Sequence, residues 1–516
     1  MVKYTNPILP GFYPDPSVCR VGDTFYLVNS SFAYYPGVPI HESKDLVHWR
    51  QIGNILDRPD NLPLYDVHHS GGIYAPTIRY HEGVFYMITT NIGNRGNLVV
   101  TASNPAGPWS EPHWLEGADG IDPSLFFDDD GKCYYCGTKG APDEKYFGDN
   151  VIYIRELDLN TFKLVGEEYH AWRGALKNVE WPEGPHIYKK DGWYYVMIAE
   201  AGTSIDHAVT IARSRSLSEP FTGCKHNPVL THRHLGEAFP VSAVGHADLV
   251  DDGKGNWYCV CLAMRKCDGV TNTGRETFLC RVTWEDGWPV FNAGEGKLLD
   301  CGELPLEEYR YPDGELGGYD ASLSIDMQAD KLPYKAVTLH TPDEDYCTIG
   351  NGCLSLKCGA NPIRAEKFVS YVGIRIPSMH YAVKTDMEFC PNGREEAGLV
   401  LLQSNFFHIR LVLGCFDGQR ELRLINSTRE GESVLFAAKV SGSRYCLGFR
   451  QDGQKAVFSA EGADIEYCSE PIDTHHLSTE IAGGFVGCTA GMFASSNTGD
   501  TEQKANRAKF YAFDMK

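Results

Sequence analysis

The chain has almost no helical periodicity: apolar residues do not recur at three- and four-residue steps, which excludes helical bundles and solenoids. It has no apolar run long enough to span a bilayer, and its start, MVKYTNPILPGFYPDP, lacks an apolar stretch of signal-peptide length. A membrane partner is therefore not expected, and a cytoplasmic location is. Basic residues are in deficit, with 47 Lys and Arg against 68 Asp and Glu and a formal net charge of -21. Phosphate recognition draws mainly on Lys and Arg, so this balance argues against a nucleic-acid partner and suits a neutral ligand. A disulfide framework is missing too. The 17 cysteines are odd in number and irregularly spaced, which reads as reduced core thiols. Cys133 and Cys136 fall three apart in an expected strand, on opposite faces, which argues against a metal pair.

What is present is a phrase repeated five times. Its copies begin at Asp15 (DPSVCRVGDTFYLV), Ala75 (APTIRYHEGVFYMI), Asp122 (DPSLFFDDDGKCYYC), Gly184 (GPHIYKKDGWYYVM) and His246 (HADLVDDGKGNWYCV). Each has a polar or small start, an apolar strand, a Gly-centred hairpin and an aromatic-rich return strand. They recur roughly every 50 to 60 residues, a spacing that suits propeller blades. Equivalent positions in radially arranged blades line one central ring. That ring would collect Asp15, Tyr74 with Ala75, Asp122, Glu183 just ahead of Gly184, and His246.

At 516 residues the chain exceeds one ordinary core, so two domains are expected. The phrase ends before a Gly-, Glu- and Pro-rich stretch, GEGKLLDCGELPLEEYRYPDGELGG. This divides the chain into a five-bladed propeller over 1–305, a linker over 306–318 and a second unit over 319–516. In the last unit short strands continue, separated by hairpin signals such as Phe416-Asp417-Gly418, as in a two-sheet β-sandwich. The fold class is all-β. A homo-oligomer is left open.

The ring residues suggest glycoside hydrolysis, which needs one carboxylic acid to protonate the leaving oxygen and one carboxylate to activate water or attack carbon. Asp15 lies between Pro14 and Pro16, which restrict its backbone, and it faces Glu183 from a non-adjacent blade. Taken alone, it also reads as an Asx turn. Glu183, in Trp-Pro-Glu-Gly-Pro-His, has a setting that raises a carboxyl pKa, although an exposed loop Glu fits the same text. Asp122 is then the third carboxylate, close enough to keep the Glu183 acid protonated. His246 is placed to hydrogen-bond a sugar or to orient the water shell of a hard cation; a structural histidine is the alternative. Arg275 reaches in from the last blade or forms a surface ion pair.

The text around these residues resembles glycoside hydrolase family 43, in particular two-domain β-xylosidases and α-L-arabinofuranosidases. The matching segments include NPILPGFYPDPSV, GGIYAPTIRY, GIDPSLFFDDDG, EWPEGPHIYKKDGWYY, VGHADLV and GRETFLCRV, and they cover the propeller nearly end to end. The resemblance implies inversion, with Asp15 as general base, Glu183 as general acid and Asp122 as pKa modulator. It implies that Phe32, His246 and Arg275 form the sugar subsite, and that a calcium ion sits in the channel near His246. It also implies a concanavalin-like second domain, exo action, and xylooligosaccharide or arabinoxylan-derived substrates. One departure stands out: Tyr74 occupies a position where many xylosidases carry Trp. Two other classes remain to be separated, a sugar-binding propeller without catalysis and a retaining β-fructosidase.

Overall fold

The computed structural model describes residues 1–516 except 176–178, 313–314, 317, 319–321, 343–344 and 500–505. Five antiparallel sheets form the blades of a propeller, with innermost strands Ser17–Val21, Thr77–His81, Ile121–Phe127, Glu183–Lys190 and Val241–Asp251. These are the five copies of the recurring phrase, here blades I to V. Strand periodicity explains why the return strands are apolar on both faces. In blade III, Cys133 and Tyr135 pack toward blade II, while Tyr134 and Cys136 pack toward blade IV. Five apolar seams result, one between each pair of neighbours around the ring, including the pair that joins blade V to blade I. The ends of the propeller are tied together as well, because Val2–Thr5 pairs with Cys301–Leu304.

The second domain is a sandwich of two antiparallel sheets around a core that includes Leu399, Leu411, Tyr445, Phe458 and Phe510. One of its sheets runs from Gly431–Lys439 at one edge to Val337–Leu339 near the other. There Tyr34–Tyr35 of the propeller is added as the outermost strand. A shared apolar seam lies behind this junction, where Phe12, Phe32 and Tyr34 meet Val337, Tyr371, Val486 and Phe493. The sandwich therefore covers part of the propeller's ring. Within the expected linker, Glu315–Leu316 pairs with Arg50 and Gln51 as an extra strand of blade I. Residues 313–314 and 317 of that linker, and 319–321 at the expected start of the second domain, lie outside the described residues.

All 17 cysteines are free thiols, and nine of them are buried. Among the described residues the sole α-helix is the single turn Thr479–Ala482.

Candidate active site

Four of the five copies of the recurring phrase place their first residue in a left-handed backbone state. Asp15, Asp122, Gly184 and His246 have φ of 50°, 52°, 58° and 47°. In blades III to V the inner strand also slips register here, between Ile121 and Ser124, between Glu183 and His186, and twice between Ser242 and Asp248. Such β-bulges re-aim side chains, and Asp and His tolerate left-handed backbone better than most residues. Blade IV uses Gly184 at the bulge and presents the residue before it, Glu183. A Cβ at Gly184 would lie 2.8 Å from the His246 ring, so glycine is also what lets that imidazole fit.

These bulges empty into one cavity of about 310 Å³. Asp15, Asp122, Glu183, Phe32, Tyr74, His246 and Arg275 all line it, so every residue expected at the site from sequence is there. Asp15 is 4% exposed and doubly held. Ser30 Oγ donates to its Oδ2 at 2.6 Å and Arg275 Nη1 donates to its Oδ1 at 2.8 Å. Arg275 is thus a buried partner of a ring carboxylate, and its guanidinium lies over the Phe32 ring at 5.4 Å. His246 Nδ1 is 3.8 Å from the same Asp15 oxygen, and burial lowers the imidazole's pKa.

Glu183 is held well above its ordinary pKa, at about 7, first by burial and then by repulsion from Asp15, with Arg275 opposing. Asp122 is also raised, by burial and then by the charges of Glu183 and Asp15. The cluster therefore favours at least one shared proton near neutrality while Asp15 keeps its cationic partner. The phenol of Tyr74 is pushed up to about 12 by burial and by the same carboxylates.

A family model described as glycosyl hydrolases family 43 matches residues 4–289. The chain belongs to glycoside hydrolase family 43. Residues 324–516 match a second model, the β-xylosidase C-terminal concanavalin A-like domain. The family 43 enzyme is 48% identical over 96% of both chains to a Butyrivibrio fibrisolvens protein named xylosidase/arabinosidase. It is 36% identical to a Bacteroides ovatus protein named non-reducing end α-L-arabinofuranosidase BoGH43B, covering 99% of this chain and 94% of that one. Among solved structures, xylan β-1,4-xylosidase from Bacillus halodurans C-125 superposes with a TM-score of 0.90. It has 32% identity and covers 99% of this chain and 100% of that one.

Sequence reasoning missed part of the cavity wall in this family 43 enzyme. Trp181, Thr203 and Phe485 also line it. Trp181 was visible in the Trp-Pro-Glu phrase. Phe485 was not, because it comes from the second domain and the ring register encodes propeller positions alone. Ser70 Oγ of the propeller accepts from its amide at 3.0 Å, and its carbonyl accepts from Arg275 Nη2 at 3.3 Å. Its ring packs on Phe32 at 5.9 Å and edge-on to Tyr74 at 6.1 Å. Phe485→Ala opens that wall, and steady-state kinetics is expected to show KM raised about tenfold with a smaller fall in kcat. An unchanged KM would contradict this placement.

The calcium expected beside His246 would have to draw most of its ligands from water. Hard cations take six to eight oxygen ligands. Among the described residues no three His, Cys, Asp or Glu side chains converge to hold a metal. The guanidinium of Arg79 already bridges the blades, bonded to Asp248 at 2.8 and 3.1 Å, Ser17 at 3.2 Å and His186 Nδ1 at 3.0 Å. This fixed positive charge near the axis disfavours a second one beside it.

Proposed function

We propose that this enzyme is an exo-acting, inverting glycosidase that releases terminal β-D-xylose from xylooligosaccharides and α-L-arabinofuranose from arabinoxylan fragments. The observation that carries the proposal is the set of three carboxyls, Asp15 and Asp122 buried and Glu183 half-buried one residue ahead of their register, in one small cavity walled by Phe485 of the second domain. A cavity closed in this way suits one terminal sugar better than the middle of a chain. The names of the relatives support the same two sugars.

In this reading Glu183 gives its proton to the glycosidic oxygen as the bond from that oxygen to the anomeric carbon breaks. Water attacks the anomeric carbon from the opposite face and passes a proton to Asp15. Arg275 and Ser30 hold the Asp15 carboxylate in one orientation, so little reorganisation is needed as the water approaches. Asp122, itself raised by burial and by the Glu183 and Asp15 charges, shares the acid's proton near neutrality. Phe32, Tyr74 and Phe485 supply apolar faces for the sugar, and the Tyr74 hydroxyl adds a donor that an indole would place elsewhere.

Rates on nitrophenyl β-D-xylopyranoside and nitrophenyl α-L-arabinofuranoside, each with and without EDTA, test this directly. Both substrates are expected to turn over, and chelation is expected to leave each rate within about twofold. Turnover of neither glycoside counts against the assignment. A large loss restored by calcium contradicts the reading of the Arg79-bridged channel.

A further inference from the structure

The inner strand of blade V, Val241–Asp251, presents His246 from a segment that leaves the regular ladder between Ser242 and Gly245 and again between Gly245 and Asp248. Ala243, at φ 54°, is left-handed like His246 but has no polar side chain to compensate. That conformation strains an ordinary residue, so the surroundings must hold it.

The support comes from blade IV. His207, 1% exposed, lies just before the strand Ala208–Ser214. Its Nδ1–H donates to the Ala243 carbonyl at 3.0 Å, and its own carbonyl accepts from Thr231 Oγ at 2.8 Å. The ring sits so close to Gly245 that a Cβ there would lie 2.3, 2.4 and 2.5 Å from three of its atoms. His207 Nε2 is buried without a hydrogen-bond partner among the described residues, and burial lowers the ring's pKa to about 4, which keeps it neutral. His207 does not line the sugar cavity. The contacts of its ring with Ala243 and Gly245 fall on the two residues that decide how the strand enters the His246 bulge. On the far side the His246 ring is already confined by Gly184.

We infer that His207 is a positioning residue for catalysis: by fixing the Ala243 carbonyl and packing on Gly245, it sets the direction in which His246 enters the cavity. The inference rests on reading His246 as a sugar-binding residue. A structural histidine with no link to the site would affect folding without coupling to His246.

The test is a double-mutant cycle in the full-length enzyme, read on nitrophenyl xyloside. His207→Phe keeps an aromatic ring on Gly245 and removes the N–H; His207→Asn returns an N–H near the same place. His207→Phe is expected to raise KM about tenfold with kcat within about threefold, and His207→Asn to recover most of that rise. With His246 already replaced by Ala, His207→Phe is expected to add nothing. Losses that multiply across the cycle, or an unchanged KM in His207→Phe, overturn the inference alone. A wild-type KM in His246→Ala removes the reading beneath it as well. If His207→Phe does not fold, Gly245→Ala, which drives a methyl group into the ring, takes its place in the cycle with the same expected outcomes.

Discussion

Replacing Glu183 by Gln is expected to lower kcat on xylobiose by about 10²–10⁴-fold, the usual contribution of a positioned general acid. The loss should depend on the leaving group. A xylose hydroxyl departs poorly without a proton, whereas a nitrophenolate leaves almost unaided, so the aryl xyloside should retain far more activity. The pH profile carries the same signature. The Glu183 carboxyl is held at about 7, so the proton it must donate is present below that pH and is lost as pH rises through it. The wild-type kcat/KM should therefore fall on the alkaline side near pH 7, and Glu183→Gln should abolish that limb. Asp122→Asn removes the carboxyl with which Glu183 shares a proton, so the limb should become a single ionisation of Glu183, set by burial and the Asp15 charge. An unaltered alkaline limb in Glu183→Gln would count against its role as the acid.

Asp15→Asn is expected to act differently. Its partner is the attacking water, so kcat should fall by about 10³-fold on aryl and sugar leaving groups alike. The uniformity of the loss separates a base from an acid. The substitution also takes the anion from Arg275, a residue 6% exposed that makes its charge pair there. Leaving a buried charge without its partner is costly, so a thermal melt should accompany the kinetics. If Asp15→Asn keeps its fold and hydrolyses the aryl xyloside at the wild-type rate, the assignment of the base is wrong.

The ring of functional positions was legible because a propeller maps one register in sequence onto one circle in space. Asp15, Asp122 and His246 share that register and a left-handed backbone, and Asp122 and His246 also sit at bulges of their inner strands. The bulges themselves were not readable from a polar residue at a strand start; they emerge from pairing with the next strand. Arg275 was ambiguous for a related reason. Its ion pair with Asp15 spans 260 residues of sequence and depends on closure of blade V against blade I. Phe485 was invisible because its address belongs to another domain. Tyr34–Tyr35, read as propeller text, completes a sheet of the sandwich and helps bring that aromatic wall to the cavity.

The most direct measurement is proton NMR of the first sugar released from a β-xyloside, taken before the anomers equilibrate. Attack by water activated at Asp15, opposite the acid at Glu183, inverts the anomeric carbon, so α-xylose must appear first and β-xylose only by later mutarotation. β-Xylose as the first-formed product would mean retention through a covalent intermediate, and would contradict the roles given to both carboxyls.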